Sequence, residues 1–153
     1  MTKRLFGLTA LAVIVTVGLA ACGGGAAPAD TGTEGEGGAA GSADFTVLTH
    51  DTFKYEPNTW TAAAGATVNL TLDNSGQALE HSFVLLNEGV TEADAVSITP
   101  DGDADKKYFS LVVPIGETAS GTFTAPATAG DYVVVCTVAG HAAGGMLGTF
   151  TVQ

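Results

Sequence analysis

From Asp44 onward, apolar and polar residues alternate in short runs with a period of two. Phe45 and Val47 flank Thr46, and Val68, Leu70 and Leu72 alternate with Asn69, Thr71 and Asp73. His81, Phe83 and Leu85 fall on one face of HSFVLL; Tyr132, Val134 and Cys136 fall on one face of DYVVVC. Phe150 and Val152 lie on the same side as Met146 and Gly148. The runs favour Val, Thr and Phe, and turn sequences (Ala64-Gly65, Asn74-Ser75-Gly76, Ala129-Gly130-Asp131) separate them. No helical period persists for long. The pattern predicts an all-β fold, an antiparallel sandwich running from Asp44 to Gln153 as one domain.

Three segments complete the outline. Residues 88–107 carry scattered apolar positions (Val90, Ala93, Val96, Ile98), with room for one short helix before the acidic turn Pro100-Asp101-Gly102-Asp103. Pro114-Ile115-Gly116-Glu117 predicts a turn into a strand over Thr118 to Thr124. Trp60 reads as a core residue.

The first 43 residues do not share this pattern. Met1-Thr2-Lys3-Arg4 is basic, and Leu5 to Leu19 is an apolar run of signal-peptide length, too short for a comfortable membrane span. It closes on Leu19-Ala20-Ala21-Cys22 followed by three glycines, which resembles a bacterial lipobox. Residues 1–21 are then a lipoprotein signal peptide and Cys22 the lipidated first mature residue. Residues 22–43, rich in Gly and Ala with a few acids, predict a flexible tether with a span of roughly 25 Å. The expectation is export, with a lipid anchor on the outer (periplasmic or extracellular) face of the cell membrane.

Charge narrows the partners. All sixteen acidic residues lie beyond the leader, against three lysines there (Lys54, Lys106, Lys107). Such a balance argues against nucleic acid and anionic headgroups, and for a partner with a basic docking patch.

The chemistry is concentrated near the C-terminus. Cys136, His141 and Met146 stand in the spacing C-x4-H-x4-M, and His81 opens an apolar strand upstream. Beyond Cys22, Cys136 is the one cysteine, and beyond Met1, Met146 is the one methionine. Taken singly, each would read as core filling. Together, two imidazoles, a thiolate and a weak thioether are the ligand set of a mononuclear blue copper site. Gly140, Gly144 and Gly145 let the loop close tightly. A Cys22–Cys136 disulfide would join a flexible segment to a strand end and consume the best ligand. His50, in a polar segment, takes no role. His141, flanked by Ala142 and Ala143 and completed by Leu79, is expected to present an imidazole edge in a flat, weakly polar patch through which an electron leaves.

CTVAGHAAGGMLGTFTV, with HSFVLL upstream and GDYVVVC before the cysteine, resembles the cupredoxins, the blue copper family of plastocyanin and azurin. With its lipobox and tether, the chain is most similar to the membrane-attached auracyanins among them. The resemblance implies an eight-stranded Greek-key sandwich with one copper ion held by His81, Cys136, His141 and Met146. It also implies Ser82, Thr137 and Val138 around the ligands. Many members carry Asn where this chain has Ser82, and a proline near Ala139; Glu80 stands where azurins have glycine. The implied function is a monomeric one-electron carrier and not an enzyme. Copper oxidases and nitrite reductases need further histidines, and only His50 is left over. Implied partners are a c-type cytochrome, a reaction-centre cytochrome or an oxidase. The alternative is a periplasmic copper chaperone or storage lipoprotein, against which the lone mature methionine argues.

Overall fold

The computed structural model describes residues 41–153; the leader, Cys22 and the tether up to residue 40 lie outside them. Nine strands follow in chain order: β1 Ser42–His50, β2 Lys54–Glu56, β3 Thr59–Ala62, β4 Thr67–Asp73, β5 His81–Leu86, β6 Lys107–Val113, β7 Thr118–Thr124, β8 Gly130–Val135 and β9 Leu147–Val152. They form two sheets, β2-β1-β4-β7 and β3-β9-β8-β5-β6. Val47, Val68, Leu70 and Leu72 from the first sheet meet Trp60, Phe83, Tyr132, Val134 and Phe150 from the second in one buried core. Alternation along β4 and β9 places every second side chain in that core. Trp60 is buried there, 3% exposed.

The all-β sandwich matches the sequence reading, with three differences of detail. Nine strands stand where eight are expected, because Pro57 interrupts the extended stretch 54–62. Proline offers no N–H to a ladder, and the two pieces join different sheets, β2 beside β1 and β3 beside β9. The sheets are mixed rather than antiparallel, since β1–β4 and β3–β9 are parallel pairs. The first strand begins at Ser42, paired with Thr67, two residues before the expected domain edge.

The segment between β5 and β6 holds the one α-helix among the described residues, α1 Glu92–Ala95, followed by a single 3-10 turn at Ala104–Lys106. Thr91 and Asp94 form a reciprocal capping box at the start of α1. Ala95 and Ile98 pack on Val84, Leu86 and Val135, covering the outer face of the second sheet. This explains why HSFVLL is buried along its whole length: its two faces meet two different hydrophobic clusters. The turn before β7 also matches expectation, with Glu117 N–H donating to Pro114 O and Gly116 at φ 70°.

Candidate metal centre

β5 and β8 are antiparallel, with Val84 opposite Val135 and Leu85 opposite Val134. Continuing that register past the end of β8 sets Ser82 against Thr137 and His81 beside Val138. His81, Phe83 and Leu85 alternate toward the inter-sheet core, as do Tyr132, Val134 and Cys136. Two polar side chains thus enter the same end of the core from neighbouring strands.

The loop from Cys136 to Met146 supplies the rest. Met146 N–H donates to the His141 carbonyl (3.0 Å), and Cys136 N–H donates to the Met146 carbonyl (3.2 Å). His141 N–H donates to Val138 O (3.0 Å), Gly144 N–H to Gly140 O (2.9 Å), and Gly145 N–H to Ala142 O (2.9 Å). Gly140 and Gly145 hold φ values of 85° and 101°, backbone that side chains disfavour. Main-chain bonds therefore connect Cys136, His141 and Met146 to one another directly.

The result is a tight convergence. His81 Nδ1 lies 3.2 Å from His141 Nδ1, and Cys136 Sγ lies 3.5 Å from His141 Nδ1. All three donor atoms fall within 4.8 Å of one another. Two nitrogens and a sulfur sharing a first-row ion, at bonds of about 2.0–2.3 Å, must stand about 3–4 Å apart. The donor set therefore fits a copper ion. His81, Cys136 and Met146 are fully buried, and His141 is 5% exposed.

Burial sets the proton states. It pulls both imidazoles below their ordinary value; at His141 the neighbouring His81 adds to the effect, and at His81 Asp51 opposes it. Burial pushes the Cys136 thiol up, against hydrogen bonds from Ser82 and Val138. Neutral imidazoles are ready ligands, whereas the thiol gives up its proton when a cation takes its place.

Ser82 stands beside the sulfur, and Thr137 bonds to Ser82. Ser82 N–H donates to Cys136 Sγ (3.4 Å), and Ser82 Oγ lies 3.7 Å from it. Ser82 Oγ accepts from Thr137 N–H (2.9 Å) and stands 3.2 Å from Thr137 Oγ1. Shorter than asparagine, Ser82 still ties the two ligand segments together.

The expected exit patch is only partly assembled. Ala143 is exposed and Leu79 is 39% exposed. Ala142 instead turns inward, 7% exposed, among Val84, Leu86 and Ile98. With Ala142 buried and Ala143 exposed, the two do not form one continuous surface. His50 lies outside the cluster, 3.2 Å from Glu56.

Sequence reasoning missed four residues. Asp51 reaches His81, and the Phe53 ring packs on His141. Tyr55 O–H donates to the Ser82 carbonyl. Asn74, fully buried, donates to Leu79 O (2.8 Å) and Pro114 O (2.9 Å). Asn74 looks like any turn residue, and nothing in the run His50-Asp51-Thr52-Phe53 marks it as bordering a site.

Comparison with known proteins agrees with this geometry. Residues 43–153 match the family described as copper binding proteins, plastocyanin/azurin family. The chain is 32% identical to auracyanin-A of Chloroflexus aurantiacus over 154 residues, covering 92% of each chain. It is 38% identical over 90 residues to rusticyanin of Acidithiobacillus ferrooxidans, 59% of this chain and 57% of that one. Among solved structures, auracyanin A, titled a "blue" copper protein, superposes with a TM-score of 0.62 at 27% identity, covering 73% of this chain and 99% of that one. Reduced auracyanin from Roseiflexus castenholzii superposes with a TM-score of 0.61 at 26% identity, covering 75% and 98%.

Proposed function

The chain belongs to the plastocyanin/azurin family of copper-binding proteins, and from that premise we propose that it is a mononuclear blue-copper electron carrier whose ligands are His81, Cys136, His141 and Met146. The observation that carries the reading is the buried convergence of two Nδ1 atoms and one Sγ, 3.2 and 3.5 Å apart. When bound, copper supplies the Cu(II)/Cu(I) couple. Neutral imidazoles suit the harder state, thiolate and thioether the softer one. A catalytic metal site keeps a coordination position open to substrate. Here three ligand residues are fully buried and the fourth nearly so, which favours electron transfer over enzymatic turnover and over easy metal exchange by a chaperone.

His141, the one ligand residue with residual exposure, is the electron's exit. Ala143, two residues further along the loop, is exposed, and Leu79 and Ile115 are 39% and 59% exposed, Asn74 tying the Leu79 carbonyl to that of Pro114 just before Ile115. A redox protein with a basic docking patch, such as a c-type cytochrome or an oxidase, suits the acidic chain. Export and lipidation at Cys22 would hold the monomeric domain at the outer face of the cell membrane. The test is the visible spectrum of the copper-loaded protein together with its redox titration. An intense charge-transfer band that bleaches on one-electron reduction is expected; a pale protein would sink the reading.

A further inference from the structure

The turn between β1 and β2 touches both imidazoles of the site. The Asp51 carboxylate accepts from Ala78 N–H through Oδ2 (2.9 Å) and from Leu79 N–H through Oδ1 (3.1 Å). The same Oδ1 lies 3.4 Å from His81 Nε2. Asp51 N–H in turn donates to Gln77 Oε1 (3.0 Å), so the turn is fixed to the segment that leads into β5. Two residues on, the Phe53 ring lies against His141 with centroids 4.5 Å apart and planes 33° apart. Phe53 holds φ 61°, a left-handed conformation that a bulky residue adopts at a cost and keeps only when its surroundings demand it. Gly144 makes room for it: a Cβ there would collide with the Phe53 ring.

His81 turns Nδ1 toward His141 and Nε2 toward Asp51; with Nδ1 given to copper, the ring's proton would sit on Nε2, facing the carboxylate. A carboxylate accepting that proton fixes the ring's tautomer and plane and makes the imidazole a stronger donor. A stronger donor with a negative charge behind it favours Cu(II) over Cu(I). Phe53 acts on the other ring without charge, limiting the planes His141 can take.

We propose that the Asp51–Phe53 turn positions both copper imidazoles, with Asp51 completing a carboxylate–histidine–metal relay through His81 Nε2 and Phe53 holding the plane of His141. The proposal rests on the copper reading above. Asp51→Asn keeps the size and one acceptor oxygen while removing the charge. The copper-loaded variant should keep its absorption maximum, whereas its Cu(II)/Cu(I) affinity ratio should fall about tenfold, a rise in potential of about 59 mV for one electron. Asp51→Ala should raise the potential as well and also lower stability, because Ala78 and Leu79 lose their acceptor. Pulsed EPR of the wild-type Cu(II) protein gives a readout that needs no variant. Its two remote imidazole nitrogens should be distinguishable, one bonded to a carboxylate, and Phe53→Leu should alter the other alone. A blue wild type whose potential is unmoved by Asp51→Asn, or whose remote nitrogens are equivalent, overturns this proposal and leaves the copper reading standing. A wild type without the intense band overturns both.

Discussion

Ser82 is the residue whose removal the geometry lets one cost. Its Oγ accepts Thr137 N–H at 2.9 Å and lies 3.7 Å from Cys136 Sγ, while its own N–H donates to that sulfur at 3.4 Å. Ser82→Ala keeps the main-chain bond to sulfur and deletes only the hydroxyl. The first consequence is an orphaned Thr137 N–H between two buried residues, costing about 1–3 kcal/mol. For a domain near this size each kcal/mol is worth about 4–8 °C in Tm, so the copper-loaded protein should melt at least about 4 °C lower. The second consequence depends on where the hydroxyl proton goes. Aimed at sulfur, it favours the reduced state, in which the thiolate carries more charge, and its loss lowers the potential. The drop cannot exceed the bond itself, about 0.5–1.5 kcal/mol, which is roughly 20–65 mV for one electron. The long contact places the value in the lower half of that range. Thermal unfolding and spectroelectrochemistry on one preparation separate the two effects. An unchanged Tm refutes the Thr137 argument. An unchanged or higher potential means that the hydroxyl donates to Thr137 Oγ1, 3.2 Å away, instead.

Met146→Gln should keep a coloured site and lower its potential, because an amide oxygen is a harder ligand than a thioether; an unchanged potential would make Met146 core filling. Gly148→Ala would set a Cβ 2.7 Å from the Asn58 carbonyl oxygen and 2.7 Å from the Trp60 ring; chemical denaturation should find a loss of about 1–3 kcal/mol from overpacking. Ala143→Asp should slow electron transfer to a physiological partner with the copper spectrum unchanged, and stopped-flow rates equal to wild type would refute the His141 exit. Cys22→Ser should leave the domain released from membranes or uncleaved, with copper binding intact; fractionation showing normal membrane attachment would refute lipidation.

The ligand set was legible because its chemistry is dense: C-x4-H-x4-M lies within one hairpin loop, and beyond the leader and Cys22 the chain has no second cysteine or methionine to compete. The two sheets were legible where one face is core and the other solvent, as in β4 and β9. Alternation failed in β5, whose outer face is covered by a segment that carries no strand pattern of its own. Parallel pairing was not legible either, since β1 and β4 alternate identically whichever way they run. What surrounds the ligands was the least visible. Asp51, Phe53 and Asn74 come from turns whose sequences satisfy local backbone needs, and only the fold brings them to the site. Ala142 shows the same limit from the other side. Its small size suggested an open patch, but its side chain lies in a buried cluster.

The position of the site at one end of the sandwich follows from how its ligands are held. Three of them belong to an eleven-residue loop closed by its own main-chain bonds, so the loop can keep its shape only if its ends stay in the β8–β9 ladder. The fourth, His81, arrives on a different strand and needs a separate restraint. Asn74 provides it: fully buried, it donates to Leu79 O and Pro114 O and accepts from Thr49 Oγ1, joining the ends of β1, β4 and β6 to the approach to β5. A buried polar group satisfied on every side stiffens what it joins, because breaking one bond strands a partner in low dielectric. Ser82 and Thr137 then connect the two ligand segments to each other. His81 therefore cannot move relative to Cys136 without stranding buried donors, and in the proposed electron-carrier role that stiffness would keep the ligands in place as the charge on the metal changes.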